Sequence, residues 1–204
     1  MDPFLRVIEL FAVLTSATYG VLLARRKGMD FVGVFAVAFI IALGGGTMRD
    51  LFLDRNPLFW IEHEEYPLIL FGLAALTSMF RDLPTWLGKW LHVPDAFGLG
   101  LFCILGTSLA LNAGTSWFVA SLLGVVTGTF GGVIGDVICN EVPSLFTTSP
   151  LYATCAFVGS WVYMLTGLTP LAESVAVLIG LFVVVVMRVA AVHWNLRLPN
   201  RARS

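Results

Sequence analysis

The chain has 204 residues, of which 58% are hydrophobic and 12% charged, and its mean hydropathy is +0.88. Ordinary soluble domains carry about 25% charged residues, and a chain this short could not hide so much apolar surface from water, so a soluble fold is excluded. A net charge of −1 and a pI near 6.3 exclude a basic nucleic-acid footprint.

A bilayer-spanning helix needs about 20 mostly apolar residues. Seven segments qualify in chain order: Leu5–Leu23, Phe31–Leu53, Tyr66–Phe80, Asp95–Asn112, Trp117–Cys139, Pro150–Thr166 and Leu171–Val192. The first has no basic n-region beyond Arg6 and is followed by Arg25, Arg26 and Lys27, with no small-residue cleavage site, so it reads as a retained helix and not a signal peptide. The third and sixth are short. Between the third and fourth, Pro84 and Pro94 bracket Trp86 and Trp90, an interfacial connector by composition. Residues 181–187 form a solid Val/Phe run, as in a lipid-facing or bundle helix. Cys103, Cys139 and Cys155 have no CxxC spacing and read as small apolar residues in helices. His63, His92 and His193 lack metal-ligand spacing, so no cofactor or metal is expected.

Seven spans leave Arg25, Arg26, Lys27, Arg81, Lys89, Arg197, Arg201 and Arg203 on one side, and Arg6, Arg49 and Arg55 on the other. The positive-inside rule makes the first side cytoplasmic, with the N-terminus outside and the C-terminus inside.

An internal repeat runs through the chain at an offset of 86 residues. It matches Gly45 and Gly46 with Gly131 and Gly132, Asp50 with Asp136, Pro57 with Pro143, Tyr66 with Tyr152 and Gly20 with Gly106. Each unit holds three spans, so the second copy enters the membrane from the opposite side. The expected fold is therefore all-α and integral to the membrane. It has seven transmembrane helices: two inverted three-helix repeats, about 4–81 and 90–167, and a seventh helix at about 170–193, all in one transmembrane domain over 1–204.

Inverted repeats place their sites near the midplane, at helices interrupted by Gly or Pro in matching positions. Gly44, Gly45 and Gly46 in the second span, with Gly131 and Gly132 in the fifth, are the expected breaks or hinges. Gly124 and Gly128 are spaced for close helix packing. Asp50 and Asp136 are costly in a bilayer and are the expected ion-path carboxylates. Arg49, adjacent to Asp50, is expected to pair with another helix, with Asp136 as the candidate. These three groups sum to −1, which favours a cation. Asn140, Thr47, Thr127 and Thr129 could add neutral oxygens, although Ser and Thr in membrane helices often bond their own backbone.

The stretch from Gly44 to Asp50 (GGGTMRD), followed by Leu51 to Pro57, and the second-half GGVIGD from Gly131 to Asp136, resemble the signature of the prokaryotic trimeric intracellular cation (TRIC) channels. The likeness covers nearly the whole chain. It implies a homotrimer in a prokaryotic plasma (inner) membrane, with one pore in each subunit. The second and fifth helices, kinked at their glycines, would line the pore, and K⁺ would be the chief ion, with Na⁺ also passing. Membrane lipid is the expected surrounding. A secondary transporter of a small solute such as glycine is the alternative, since inverted repeats suit it equally. An intramembrane aspartyl protease is set aside because its Gly-x-Gly-Asp motif is not met at Asp136.

Overall fold

A computed structural model describes residues 3–80, 91–147 and 150–198. The Trp86–Trp90 connector and the charges Arg81, Lys89, Arg201 and Arg203 lie outside the described residues. The helices in chain order are α1 (Pro3–Arg26), α2 (Phe31–Phe52), the single turn α3 (Phe59–Glu62), α4 (Glu65–Ser78), α5 (His92–Asn112), α6 (Trp117–Ile138), α7 (Ala153–Thr166) and α8 (Glu173–His193). A 3₁₀ turn spans Ser144–Phe146. Five of these helices, α1, α2, α5, α6 and α8, are long and apolar enough to cross a membrane. The 14-residue α4 and α7 are the shorter pair. At 1.5 Å per residue each rises about 21 Å, short of a hydrocarbon core of about 30 Å. The third span therefore ends at Ser78, and the sixth begins at Ala153, not Pro150.

The repeat extends to the backbone. Asp30 caps α2 by accepting the Gly33 N–H at 2.8 Å, and Ser116, 86 residues on, caps α6 through Val119 N–H at 3.4 Å. Both helices close in the same way. Asp54 and Asn140 adopt positive φ of 51° and 57°, and the next amide turns back, Arg55 N to Asp50 O and Glu141 N to Asp136 O, both at 2.9 Å. The connections before α2 and α6 turn at Gly28 and Gly114, with φ of 71° and 80°.

The two repeats meet where α2 crosses α6 antiparallel. A Cβ on Gly45 would strike the Thr127 carbonyl, and one on Gly131 would strike that of Ile41. Ile41 and Thr127 are themselves 86 apart, so each repeat lends a glycine to the other's backbone across a pseudo-twofold axis. Within each repeat the same device recurs, Gly20 against Ala38 of α2 and Gly106 against Thr127 of α6. Gly124 and Gly128 bring α6 onto Cys103 and Leu99 of α5, the close packing their spacing predicts. The outside of the bundle is apolar, with Leu178, Phe182 and Val186 of α8 exposed, while Arg49, Asp50 and Glu9 are buried. That inversion suits lipid as the solvent. The three cysteines are free and buried. Cys103 is more than an apolar filler, because its thiol donates to the Ala156 carbonyl at 3.1 Å.

Gly45→Ala or Gly131→Ala forces the α2–α6 crossing apart and costs about 1–3 kcal/mol as an overpacking defect. The measurement is the thermal midpoint of the detergent-solubilised protein, which falls for both variants.

Candidate functional site

Two polar clusters stand at opposite ends of the α2–α6 crossing. The first lies toward the face where α1 begins. Arg49 on the last turn of α2 is fully buried. Its Nε donates to Asp50 Oδ1 at 2.9 Å, and its Nη2 lies 2.8 Å from the same oxygen and 3.6 Å from Glu9 Oε1 of α1. Arg55 reaches Asp50 Oδ1 at 3.3 Å, and the Phe59 amide donates to Oδ2 at 2.9 Å. Tyr66 donates to Glu9 Oε2 at 3.2 Å. The Phe59 ring lies 5.2 Å from the Arg49 guanidinium carbon, within cation–π range. It also fills the space beside Gly46, where a Cβ would sit 2.8 Å from Cζ. Glu9 Oε1 and Arg49 Nη1 are buried without a hydrogen-bond partner.

The second cluster lies toward the face where α8 ends. Asp95 at the start of α5 accepts from Arg188 of α8, with Nη2 at 3.1 Å and Nε at 3.3 Å, and from Tyr152 Oη at 3.0 Å. Arg188 Nη1 also donates to the Pro150 and Leu151 carbonyls at 3.1 and 3.0 Å, and the guanidinium stacks 4.4 Å from the Tyr152 ring centre. Among the described residues nothing fills the space beside Gly132 as Phe59 fills that beside Gly46, since a Cβ there would find only Tyr152 Oη, at 3.4 Å. A narrow cleft remains, lined by Tyr19, Asp95, Thr127, Gly131, Gly132 and Tyr152 among others. It has room for about one water molecule. At the same face Lys27 and Glu141 form an exposed ion pair, and this hydrogen bond holds the Lys27 ammonium above its usual range.

Several expectations change. Arg49 does not pair with Asp136. The side chain is long enough to fold back on its neighbour Asp50, and Asp136 is out of reach. Asp50 and Asp136 each lie seven residues beyond the centre of an antiparallel crossing, roughly 20 Å apart by helix rise. They therefore form no shared negative ring. Each serves the loop after its helix, Asp50 through the Phe59 amide and Asp136 Oδ2 through the Ser144 amide at 3.0 Å. The helices α2 and α6 continue unbroken through Gly44, Gly45, Gly46, Gly131 and Gly132, because those glycines seat neighbouring groups without releasing their own carbonyls. Thr47, Thr127 and Thr129 donate to Leu43, Leu123 and Val125 of their own helices. Thr47 also accepts from Trp60 Nε1 at 3.0 Å. Asn140 is exposed and shapes the turn after α6. Among the described residues no group of His, Cys, Asp and Glu could hold a metal.

Sequence reasoning missed Glu9, Asp95 and Arg188. The 86-residue offset maps Glu9 onto Asp95, so the repeat itself carried the signal for the first two. Arg188 stood at the end of an apolar run and was legible only as an isolated charge inside a span.

The family model described as glycine transporter matches the chain twice, over residues 6–82 and 92–167. A UPF0126 membrane protein of Vibrio cholerae is 37% identical, covering 97% of this chain and 83% of the relative. The UPF0126 inner membrane protein YadS of Escherichia coli is 36% identical, covering 96% and 95%. Among solved structures, a TRIC cation channel studied for the basis of its conductance is 32% identical, with a TM-score of 0.87 over 98% of both chains. The TRIC trimeric intracellular cation channel orthologue from Rhodobacter sphaeroides also gives 32% and 0.87, over 94% of this chain and 98% of the other. An apolar helix bundle with inverted repeats and a buried charge pair in each half defines an integral membrane protein of the class that passes ions or small solutes. The chain belongs to the prokaryotic TRIC cation channel family, which is not a family of enzymes.

Asp50→Asn leaves the buried Arg49 short of its nearest countercharge and costs about 3 kcal/mol or more. Asp136→Asn keeps an acceptor for the Ser144 amide and costs about 1 kcal/mol. Thermal unfolding of the two variants side by side checks the ranking; equal losses would contradict the different roles assigned here.

Proposed function

We propose that this chain is a passive channel for monovalent cations, chiefly K⁺ with Na⁺ also passing. The path runs through each subunit between the two repeats, beside α2 and α6, and three subunits assemble in the prokaryotic plasma membrane. The cleft from Asp95 and Tyr152 to the glycines of the crossing carries this reading, because on one half of the path it admits about one water molecule beside those glycines, in a bundle of TRIC fold. The other half is closed by Phe59 and the Arg49 pairs. Arg25, Arg26, Lys27 and Arg197 at the cleft's face support a cytoplasmic C-terminus.

Opening requires α2 and α6 to bend, and Gly44, Gly45, Gly46, Gly131 and Gly132 are the hinge positions. Conduction of a dehydrated cation then draws on carboxylates and hydroxyls along the path. Asp50 and Asp136 hold the loops that frame the two mouths.

Transport of glycine fits less well. An amino-acid carboxylate needs a free cationic group or the N-terminus of a broken helix, and here both buried guanidiniums are engaged with protein carboxylates while α2 and α6 run unbroken. Planar-bilayer recording of the purified protein in a K⁺ gradient tests the proposal. Discrete currents reversing near the K⁺ potential are expected. A silent wild type with saturable glycine uptake into liposomes overturns the proposal.

Gly44→Ala tests the hinge cleanly. A Cβ there meets its nearest neighbours at an ordinary 3.5 Å, so the variant folds. Stiffening by about 1 kcal/mol lowers the open-to-closed ratio roughly fivefold. An unchanged open probability removes Gly44 from the hinge.

A further inference from the structure

Glu9 and Asp95 occupy one position in the two repeats, on α1 and α5. Each accepts a hydrogen bond from the equivalent tyrosine, Tyr66 or Tyr152. Each also faces a buried arginine that stacks on an aromatic ring, Arg49 on Phe59 and Arg188 on Tyr152. The arginines themselves are not equivalent. Arg49 comes from α2, where the other repeat has Gly135, and Arg188 comes from α8, which has no counterpart in either repeat. Two unrelated positions thus supply a cation to the same carboxylate–tyrosine pair.

We propose that Glu9 and Asp95 are the cation-attracting sites of the two half-paths, and that Arg49 and Arg188 are tethered cations occupying them in this closed conformation, to be displaced by a permeating monovalent cation. This rests on the channel reading above and assigns its selectivity to residues other than Asp50 and Asp136.

Three observations separate the two kinds of carboxylate. Asp50 and Asp136 are committed to loop amides that fix the ends of α2 and α6. Glu9 keeps Oε1 buried and without a hydrogen bond, 3.6 Å from Arg49 Nη2. The site is thus built of charged groups whose bonding is incomplete in the closed state. Asp95 lines the cleft that reaches the crossing. An arginine is a large, weakly hydrated cation. It can neutralise the site at rest and leave it when the helices separate, without unfolding either cluster. Arg188 keeps the Pro150 and Leu151 carbonyls as alternative acceptors.

The test is the reversal potential in a KCl gradient, recorded in planar bilayers for wild type, Glu9→Gln, Asp95→Asn, Asp95→Glu and Arg188→Gln. The K⁺-over-Cl⁻ permeability ratio is expected to fall about fivefold in Glu9→Gln and Asp95→Asn, and to be held by Asp95→Glu, which keeps the charge. Arg188→Gln is expected to raise K⁺ conductance, since the tethered cation is gone. Asp95→Asn leaves Arg188 its two carbonyls and its ring, so it provides the folded variant should Glu9→Gln fail to assemble. A selective wild type whose ratio survives Asp95→Asn, or is lost in Asp50→Asn or Asp136→Asn instead, overturns the inference and leaves the channel reading standing. A wild type that passes no current in any gradient overturns both.

Discussion

The approach of α2 to α6 governs the rest of the molecule. Two antiparallel helices can touch backbone to backbone only where neither carries a side chain, and this chain meets that condition at Gly45 and Gly131. The contact is reciprocal, each glycine facing the carbonyl of a residue 86 positions from its counterpart's partner. Once the crossing is fixed, the ends of both helices are fixed, and with them the loops tied down by Asp50 and Asp136. Only then do Glu9 and Asp95 come to opposite ends of one line through the bundle.

Along that line the protein buries charge where lipid would forbid it. The arrangement is tolerable because each guanidinium has a carboxylate at about 3 Å and an aromatic face beside it. Ion pairs of this kind contribute little net stability compared with apolar replacements, because desolvation offsets the attraction. Their presence in a chain that could have used leucine points to ion handling. The asymmetry is equally informative. Phe59 fills the space beside Gly46, whereas the corresponding space beside Gly132 leaves a cleft.

Much of the fold was legible in the sequence. Hydropathy located all seven spans to within a few residues, and the repeated glycines and aspartates gave the inverted topology. Site chemistry was legible only in part, for reasons that can be named. Asp50 and Asp136 looked like pore carboxylates because a charge in an apolar span reads the same whether it faces an ion or a loop amide. Arg49 was sent to a distant partner because helix geometry points Cα–Cβ bonds of adjacent residues apart, yet a guanidinium three methylenes out can return. Glu9 and Asp95 were missed because the repeat was read for identities, and a Glu-for-Asp exchange preserves charge without preserving the letter. The glycines read as breaks or hinges, and the unbroken helices remove only the break, since composition cannot distinguish a helix that is interrupted from one that lets another pass.

A duplicated unit that folds against its own copy cannot let the two copies drift at equal rates everywhere. At the crossing, a change in one copy is felt at once by the backbone of the other, so Gly45 and Gly131 are tied together across the axis. Away from it that constraint lapses. Arg49 stands opposite Gly135 in the other copy, Phe59 opposite Leu145, and Arg55 opposite Glu141. The chain therefore carries its history as a gradient, with sameness kept at the centre and individuality gathered at the two mouths, where the two sides of a membrane make different demands.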